Sequence, residues 1–261
     1  MDLDLTGKRA LVCGASEGIG RATAHELALL GAEVTVLARR REVLEEVVRA
    51  LPTPKGQHHG LIVADAADTV GLAEAARELA AHSPVHILIN NSGGPPGGRA
   101  IDADAGAFLD AYTRHLLANQ ALAQALVPGM RHAGYGRIVN IISTSVYEPI
   151  PGLGVSNTTR GAVASWAKTL SRELAADGIT VNNVLPGYTE TGRIDQLVRG
   201  RMAKEQADEA AIRADMMAGV PAKRFARAEE PAALIAFLCA PVGGYINGQS
   251  IAVDGGRMQS I

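Results

Sequence analysis

Seven short apolar runs, most of them without polar alternation, constrain this chain more than any other feature. They are Arg9–Cys13, Glu33–Ala38, Gly60–Ala64, His86–Asn90, Arg137–Ile142, Ile179–Leu185 and Gln249–Val253. A strand that is apolar at successive positions is buried on both faces, as in a parallel sheet covered by helices. The stretches between the runs carry helical periodicity. Ile19, Thr23, Leu27 and Leu30 share one face, and Val43, Val47, Ala50 and Leu51 another. The longest helices are predicted over Ala103–Ala133 and Thr158–Asp177, and Gly31, Gly134 and Gly178 stand where helices should stop. Strand then helix, repeated about six times, predicts one doubly wound α/β domain over residues 1–261, joined by right-handed crossovers. Only Gly192–Arg227, charged and rich in Met and Ala, lacks a strand. Ligands of such sheets bind outside the carboxyl ends of the strands, so this helical insertion is placed to cover a site.

Composition narrows the partners. A hydrophobic fraction of 47% with 20% charged residues is that of a globular chain, neither disordered nor collagen-like. The net charge of −2 supplies no bulk field for nucleic acid or anionic lipid, and 3% aromatics are too few for base-stacking platforms. Cys13 and Cys239 lie too far apart in sequence to suggest a disulfide framework or a metal knuckle, so no metal is expected. The opening residues do not read as a signal peptide, and no apolar run approaches ~18 residues. A soluble, cytoplasmic protein acting on a small molecule is the expectation.

The first run leads into Gly14-Ala15-Ser16-Glu17-Gly18-Ile19-Gly20 and then a helix. Glycines there allow a tight turn and let backbone N–H groups, including those beside Ser16 and Ile19, approach a pyrophosphate. A Gly-rich turn into a helix is common, and its weight here comes from the clear strand before it and helix after it. The second run ends at Ala38, followed by Arg39, Arg40 and Arg41. A carboxylate at that tip would hold the ribose 2′-hydroxyl of NAD, whereas an arginine suits the 2′-phosphate of NADP. Arg39 is the expected contact and NADP(H) the expected cofactor, with Arg41 read as part of a solvated helix.

With these pieces placed, the chain resembles the classical short-chain dehydrogenase/reductase family over essentially its whole length. The matches are Gly14/Gly18/Gly20, Asp65, Asn90-Asn91-Ser92-Gly93, Gly136-Arg137-Ile138-Val139-Asn140, Pro186-Gly187 with Thr191, and Asp254-Gly255-Gly256. Gly219–Arg227 and Tyr245–Gly256 look most like the 3-oxoacyl-carrier-protein reductase branch, which acts in fatty acid biosynthesis. The resemblance implies a Rossmann-type domain with a seven-stranded parallel sheet. It places Asp65 and Ala66 at the adenine, Asn91, Ser92 and Gly93 beside the adenosine ribose, and Pro186, Gly187, Thr189 and Thr191 around the nicotinamide. It also implies a homotetramer paired through the two long helices, and a substrate that acyl carrier protein can present.

The catalytic positions depart from the family pattern of Ser, Tyr-x-x-x-Lys and a helical Asn. Ser143 fits the serine, but family spacing puts Ser156 at the tyrosine, Arg160 at the lysine and His115 at the asparagine, with Asn119 one turn later. Carbonyl reduction needs a hydride from the cofactor and a proton for the developing alkoxide. A phenol of pKa ~10 near a cation can supply it, whereas a serine hydroxyl is a far weaker acid. Arg160 keeps a charge that can hold the nicotinamide ribose, but an ordinary guanidinium relays no proton. His115, whose ordinary pKa lies near ~6.5, is the first substitute donor; Tyr147 and Tyr188, both near the substrate mouth, are the others. Lys168 is about 12 Å further along the helix and does not restore the motif. Gly93-Gly94-Pro95-Pro96-Gly97-Gly98 should form a stiff rim beside the substrate. Two readings follow: an NADP(H)-dependent reductase of a 3-oxoacyl thioester or related ketone, and a nucleotide-binding pseudoenzyme or sensor.

Overall fold

The computed structural model describes residues 1–260. Seven strands form one parallel sheet in the order β3-β2-β1-β4-β5-β6-β7. They are β1 (Arg9–Cys13), β2 (Glu33–Ala38), β3 (Gly60–Val63), β4 (Ile87–Asn90), β5 (Gly136–Ile141), β6 (Ile179–Pro186) and β7 (Ser250–Val253). The helices are α1 (Gly18–Leu29), α2 (Arg41–Ala50), α3 (Thr69–Ala80), α4 (Ala105–Tyr112), α5 (Ala118–Ala133), α6 (Gly154–Glu173), α7 (Gly192–Glu205), α8 (Glu209–Ala218) and α9 (Glu229–Cys239). The chain runs outward from β1 to β3, then returns and builds away from β4. The order therefore reverses between β1 and β4, where such sheets open a crevice for ligands.

The unbroken apolar runs have a direct physical cause. Ala10 and Val12 of β1, with Ile87 and Ile89 of β4, face a core closed by α1, α2 and α9. Leu11 and Cys13, with Leu88, face an opposite core closed by α3, α5 and α6. Successive residues of a strand point to opposite faces, so burial on both sides requires apolar residues throughout. Both cysteines are buried and free, and burial pushes each thiol up to about 12.

Two predicted helices differ from those observed. The first starts at Ala105, capped by the Asp104 carboxylate, which accepts from Ala107 N at 2.7 Å. Its middle widens into a π-helical turn over Thr113–Leu117 before α5 begins. The second, α6, starts at Gly154, ahead of the predicted Thr158, and ends in a 3₁₀ turn at Ala175–Asp177. No side chain caps it. Instead Gly98 N donates to Gly152 O at 2.7 Å and Gly154 N to Gly98 O at 2.9 Å, so a distant loop fixes where the helix begins. Within 192–227, helices α7 and α8 reach Ala218, and the rest is turn with an isolated bridge from Ala226 to Thr189. Ile194, Val198, Ile212, Met216 and Phe225 give this region a small core of its own.

A row of buried amides crosses the half of the sheet that carries the site. Asn90 Nδ2 donates to Asn140 Oδ1 at 2.8 Å, Asn140 Nδ2 to Asn183 Oδ1 at 2.9 Å, and Asn183 Nδ2 to Ser250 Oγ at 3.0 Å. Each of these pairs is also a register pair of adjacent strands. Replacing Asn140 with Ala orphans a donor on one side and an acceptor on the other, each costing about 1–3 kcal/mol when buried. We therefore expect the Asn140→Ala protein to unfold at clearly lower urea concentration than the wild type. An unchanged midpoint would show that the row carries no weight.

Candidate active site

The loops after β1 and β4 meet at the reversal of strand order. Asn91 Nδ2 donates to Gly14 O at 3.1 Å. Gly14 has φ +59°, and a Cβ placed on it would lie 2.7 Å from Asn91 atoms; one on Gly20 would lie 2.3 Å from Gly14 O. Only glycine fits either position, and that leaves backbone lining the turn. A Cβ on Gly18 would meet Thr191 Cγ2 at 3.0 Å, so the loop after β6 closes on the same turn. No side chain caps the N-terminus of α1. Its first N–H groups thus remain for an anion, and the glycine-lined cradle fits a pyrophosphate. The structure brings Gly14, Gly18, Gly20, Asn91 and Thr191 together.

The far end of this groove is cationic. Asp65, after β3, accepts from Ala67 N at 2.9 Å and from Arg114 Nη1 at 2.8 Å. The Ala67 hydrogen bond, with Arg114 and Arg39 nearby, lowers its pKa. Arg40, which the sequence did not single out, reaches the loop: its Nη2 donates to Ser16 Oγ at 3.3 Å and to Glu17 Oε2 at 2.9 Å. Arg40 thus turns to the first loop and Arg39 lies near Asp65, whereas Arg41 lies 3.9 Å from Glu45 on the solvent side of α2. Three consecutive arginines were the visible signal; which way each one turns was not.

The opposite end holds Ser143, Ser156, Arg160 and His115, the residues expected at the catalytic positions. Ser143 follows β5 and accepts from Ser145 N at 3.1 Å. Ser156 and Arg160 stand one turn apart in α6, both buried. Arg160 Nη1 donates to Ile141 O at 2.9 Å. Burial, then the charge of Arg193, depresses this guanidinium to about 10, which leaves it charged at neutral pH. His115 lies in the π-helical turn, with Nδ1 2.6 Å from Ser92 Oγ. Burial first, then Arg160, Arg114 and Arg193, drives its pKa down to about 2. This corrects one expectation. His115 is brought to the centre, but as a neutral imidazole in a cationic neighbourhood, with no acidic proton to offer near pH 7.

Other residues fall outside the centre or sharpen its outline. Tyr147 is 52% exposed, and its hydroxyl donates to Ser250 O at 3.4 Å. Tyr188 packs edge-on against Phe225 at 5.9 Å, beneath Arg257. Lys168 Nζ is bound to Gly248 O at 3.0 Å, so it does not stand in for a lysine at position 160. Arg193, in the first turn of α7, had no sequence signal beyond following Thr191 by two residues. Its Nη2 donates to Pro95 O at 3.0 Å, across the Gly-Pro rim.

A family model described as enoyl-(acyl carrier protein) reductase matches residues 14–257. Dehydrogenase/reductase SDR family member 4 of Bos taurus is 33% identical, over 98% of this chain and 89% of its own. The chain belongs to the short-chain dehydrogenase/reductase family. NADPH-dependent reductase BacG of Bacillus subtilis is 30% identical to this member, over 98% of it and 100% of the relative. Among solved structures, L-sorbose reductase from Gluconobacter frateurii, complexed with NADPH and L-sorbose, superposes with a TM-score of 0.93. It is 30% identical, and all of both chains is covered.

The buried rings make stability fall in acid. His115 is held at about 2 and His86 at about 4, against 6.5 in an unfolded chain; for His86, burial leads, then Lys8 and Arg9. As pH drops below 6.5 the unfolded chain takes up these protons and the folded one does not. Stability present above that pH is then lost by up to about 1.4 kcal/mol per pH unit for each ring. Urea midpoints measured from pH 7.5 to 5 should fall, and the slope should lessen in His115→Asn. Equal slopes in the two proteins would contradict a neutral His115.

Proposed function

We propose that this protein is an NADP(H)-dependent oxidoreductase that reduces a ketone, of the 3-oxoacyl thioester type or a related one, to the alcohol. Its cofactor is NADP(H), and bound NADPH supplies the hydride. The observation that carries the reading is the combination of an intact glycine cradle with the buried, charged Arg160 beside Ser156 at the tips of the central strands. Arg39 and Arg40 hold the 2′-phosphate, Asp65 and Ala66 the adenine, and Asn91, Ser92 and Gly93 the adenosine ribose. Pro186, Gly187, Thr189 and Thr191 enclose the nicotinamide.

Arg160 binds the nicotinamide ribose and, with Ser143 and Ser156, stabilises negative charge developing on the carbonyl oxygen. Fixed donors and a desolvated cation act more strongly on a forming oxyanion than water does. The proton that the alkoxide takes up originates in solvent water and is relayed by hydroxyls and the neutral His115 ring, which passes one on from one nitrogen as it takes up another at the other. Helices α7 and α8 exclude water over the substrate.

Assembly follows the same reading. Phe108, Leu109, Tyr112, Thr158, Thr159 and Ala162 line an open apolar groove of about 280 Å³ between α4 and α6. Pairing of these faces between copies would cover it, and a second contact near β7 would complete a homotetramer. Acyl carrier protein is the proposed carrier where the substrate is a thioester. No helix among the described residues is long and apolar enough to cross a membrane.

NADPH oxidation with 3-oxoacyl thioesters and small ketones should be measurable, and Ser143→Ala should lower kcat by about tenfold or more through the lost hydrogen bond. Tight NADPH binding without turnover of any such ketone would overturn the reading. For the cofactor, Arg39→Ala should weaken NADPH by about 1.5–3 kcal/mol and leave NADH almost unchanged. Equal loss with both would remove the 2′-phosphate assignment. Light scattering at micromolar protein should give a tetramer, and a monomeric mass would refute the pairing.

A further inference from the structure

Helices α7 and α8 and the turn that follows them carry arginines whose partners differ in kind. Arg201 meets Asp215 at 2.8 Å, Arg213 meets Asp195 at 2.5 Å, and Arg224 meets Glu230 at 2.6 Å. Arg193 and Arg199 of α7 form no ion pair with a described residue; Arg199 is exposed, whereas Arg193 is partly buried. It touches the Pro95 carbonyl at 3.0 Å, the Gly94 carbonyl at 3.5 Å and the Gln196 amide oxygen at 3.4 Å. Arg160 is likewise without a carboxylate, holding one backbone carbonyl.

Both guanidinium groups are desolvated by the protein, and their fields meet at His115. Across the rim, Gly93–Gly98 offers glycine and proline with no acidic side chain. Removing a cation from water is costly unless an anion or several acceptors replace the water. Neutral carbonyls answer that need only in part. A partly buried cation that meets backbone carbonyls and no acid therefore points to an anion that arrives with a ligand.

We propose that the substrate is an oxo acid whose free carboxylate is bound by Arg193 at the Gly-Pro rim while its ketone oxygen faces Arg160, Ser143 and Ser156. This rests on the reading of the protein as a ketone reductase and selects, within that class, free oxo acids over neutral ketones and esters. The planar guanidinium suits a carboxylate because its paired N–H groups match the two oxygens. The first turn of α7 adds the positive end of a helix dipole on the same side. The other anion able to claim Arg193 is the cofactor's own pyrophosphate, and that alternative is separable by measurement.

Short-chain oxo acids and their methyl esters are compared as substrates of the wild type, Arg193→Gln and Arg193→Lys. The wild type should favour the acid over the ester in kcat/KM. Arg193→Gln should cut that ratio about 10- to 100-fold, chiefly through KM, and Arg193→Lys should restore part of it. NADPH affinity, followed by cofactor fluorescence, should stay as in the wild type. Weakened NADPH in Arg193→Gln would assign the residue to the pyrophosphate and overturn the proposal, as would equal use of acid and ester by the wild type. Calorimetry of acid and ester binding to the NADP-loaded enzyme separates the two layers. Preferential binding of the acid, lost in Arg193→Gln but without turnover, would keep the anion site and remove ketone reduction. Turnover of both substrates alike would do the opposite.

Discussion

Everything in the site stands on a row of buried amides. Asn90, Asn140 and Asn183 occupy matched positions on adjacent strands and pass a hydrogen bond from one to the next, ending on Ser250. A parallel sheet buried on both faces has few ways to fix its register, since one apolar residue packs much like another. Amides that must be paired when buried remove that freedom. Slipping one strand by a single residue would point its amide into the opposite core. Ser92, Ser143 and Pro186–Thr191 all follow directly from strands in this row, so their relative heights are set by it.

A second theme is charge. The chain as a whole carries −2, yet its centre gathers Arg160 and Arg193 without acidic partners. That imbalance adds to burial, the main reason His115 is neutral. Burial alone would lower an imidazole's pKa, and neighbouring cations lower it further. The same cations that ready the centre for an oxyanion keep the nearby ring from holding a charge of its own. With Ser156 and Arg160 side by side, this part of the molecule holds a permanent positive field and no readily titrating acid.

The fold was readable because its main signals are local. Continuous apolar runs mark doubly buried strands, and the glycines of the first loop announce a close backbone approach before any partner is known. Ser156 and Arg160 could be placed by counting between fixed motifs. What the sequence concealed depends on residues far apart along the chain. The start of α6 at Gly154 is set by Gly98, and the charge state of His115 by its burial, with Arg160 and Arg193 on other helices adding to it. Arg40 was hidden among its neighbours because a run of like residues does not say which one turns toward the first loop. Arg193 lay in a segment whose pattern, charged and helical, looks solvated until the rim opposite is seen.

The wide turn at Thr113–Leu117 gives the helix one residue more than a regular spiral would hold there. Arg114 turns toward Asp65 while the adjacent His115 turns toward Ser92, so consecutive residues serve opposite ends of the groove. Deleting a single residue at this point would let the helix close into an ordinary α-helix, but everything on one side would rotate by about 100° relative to the other. Such a deletion would cost little backbone hydrogen bonding while detaching both contacts at once. The turn is thus a place where evolution can gain or lose a whole arrangement of the site through one codon, with the helices on either side left whole.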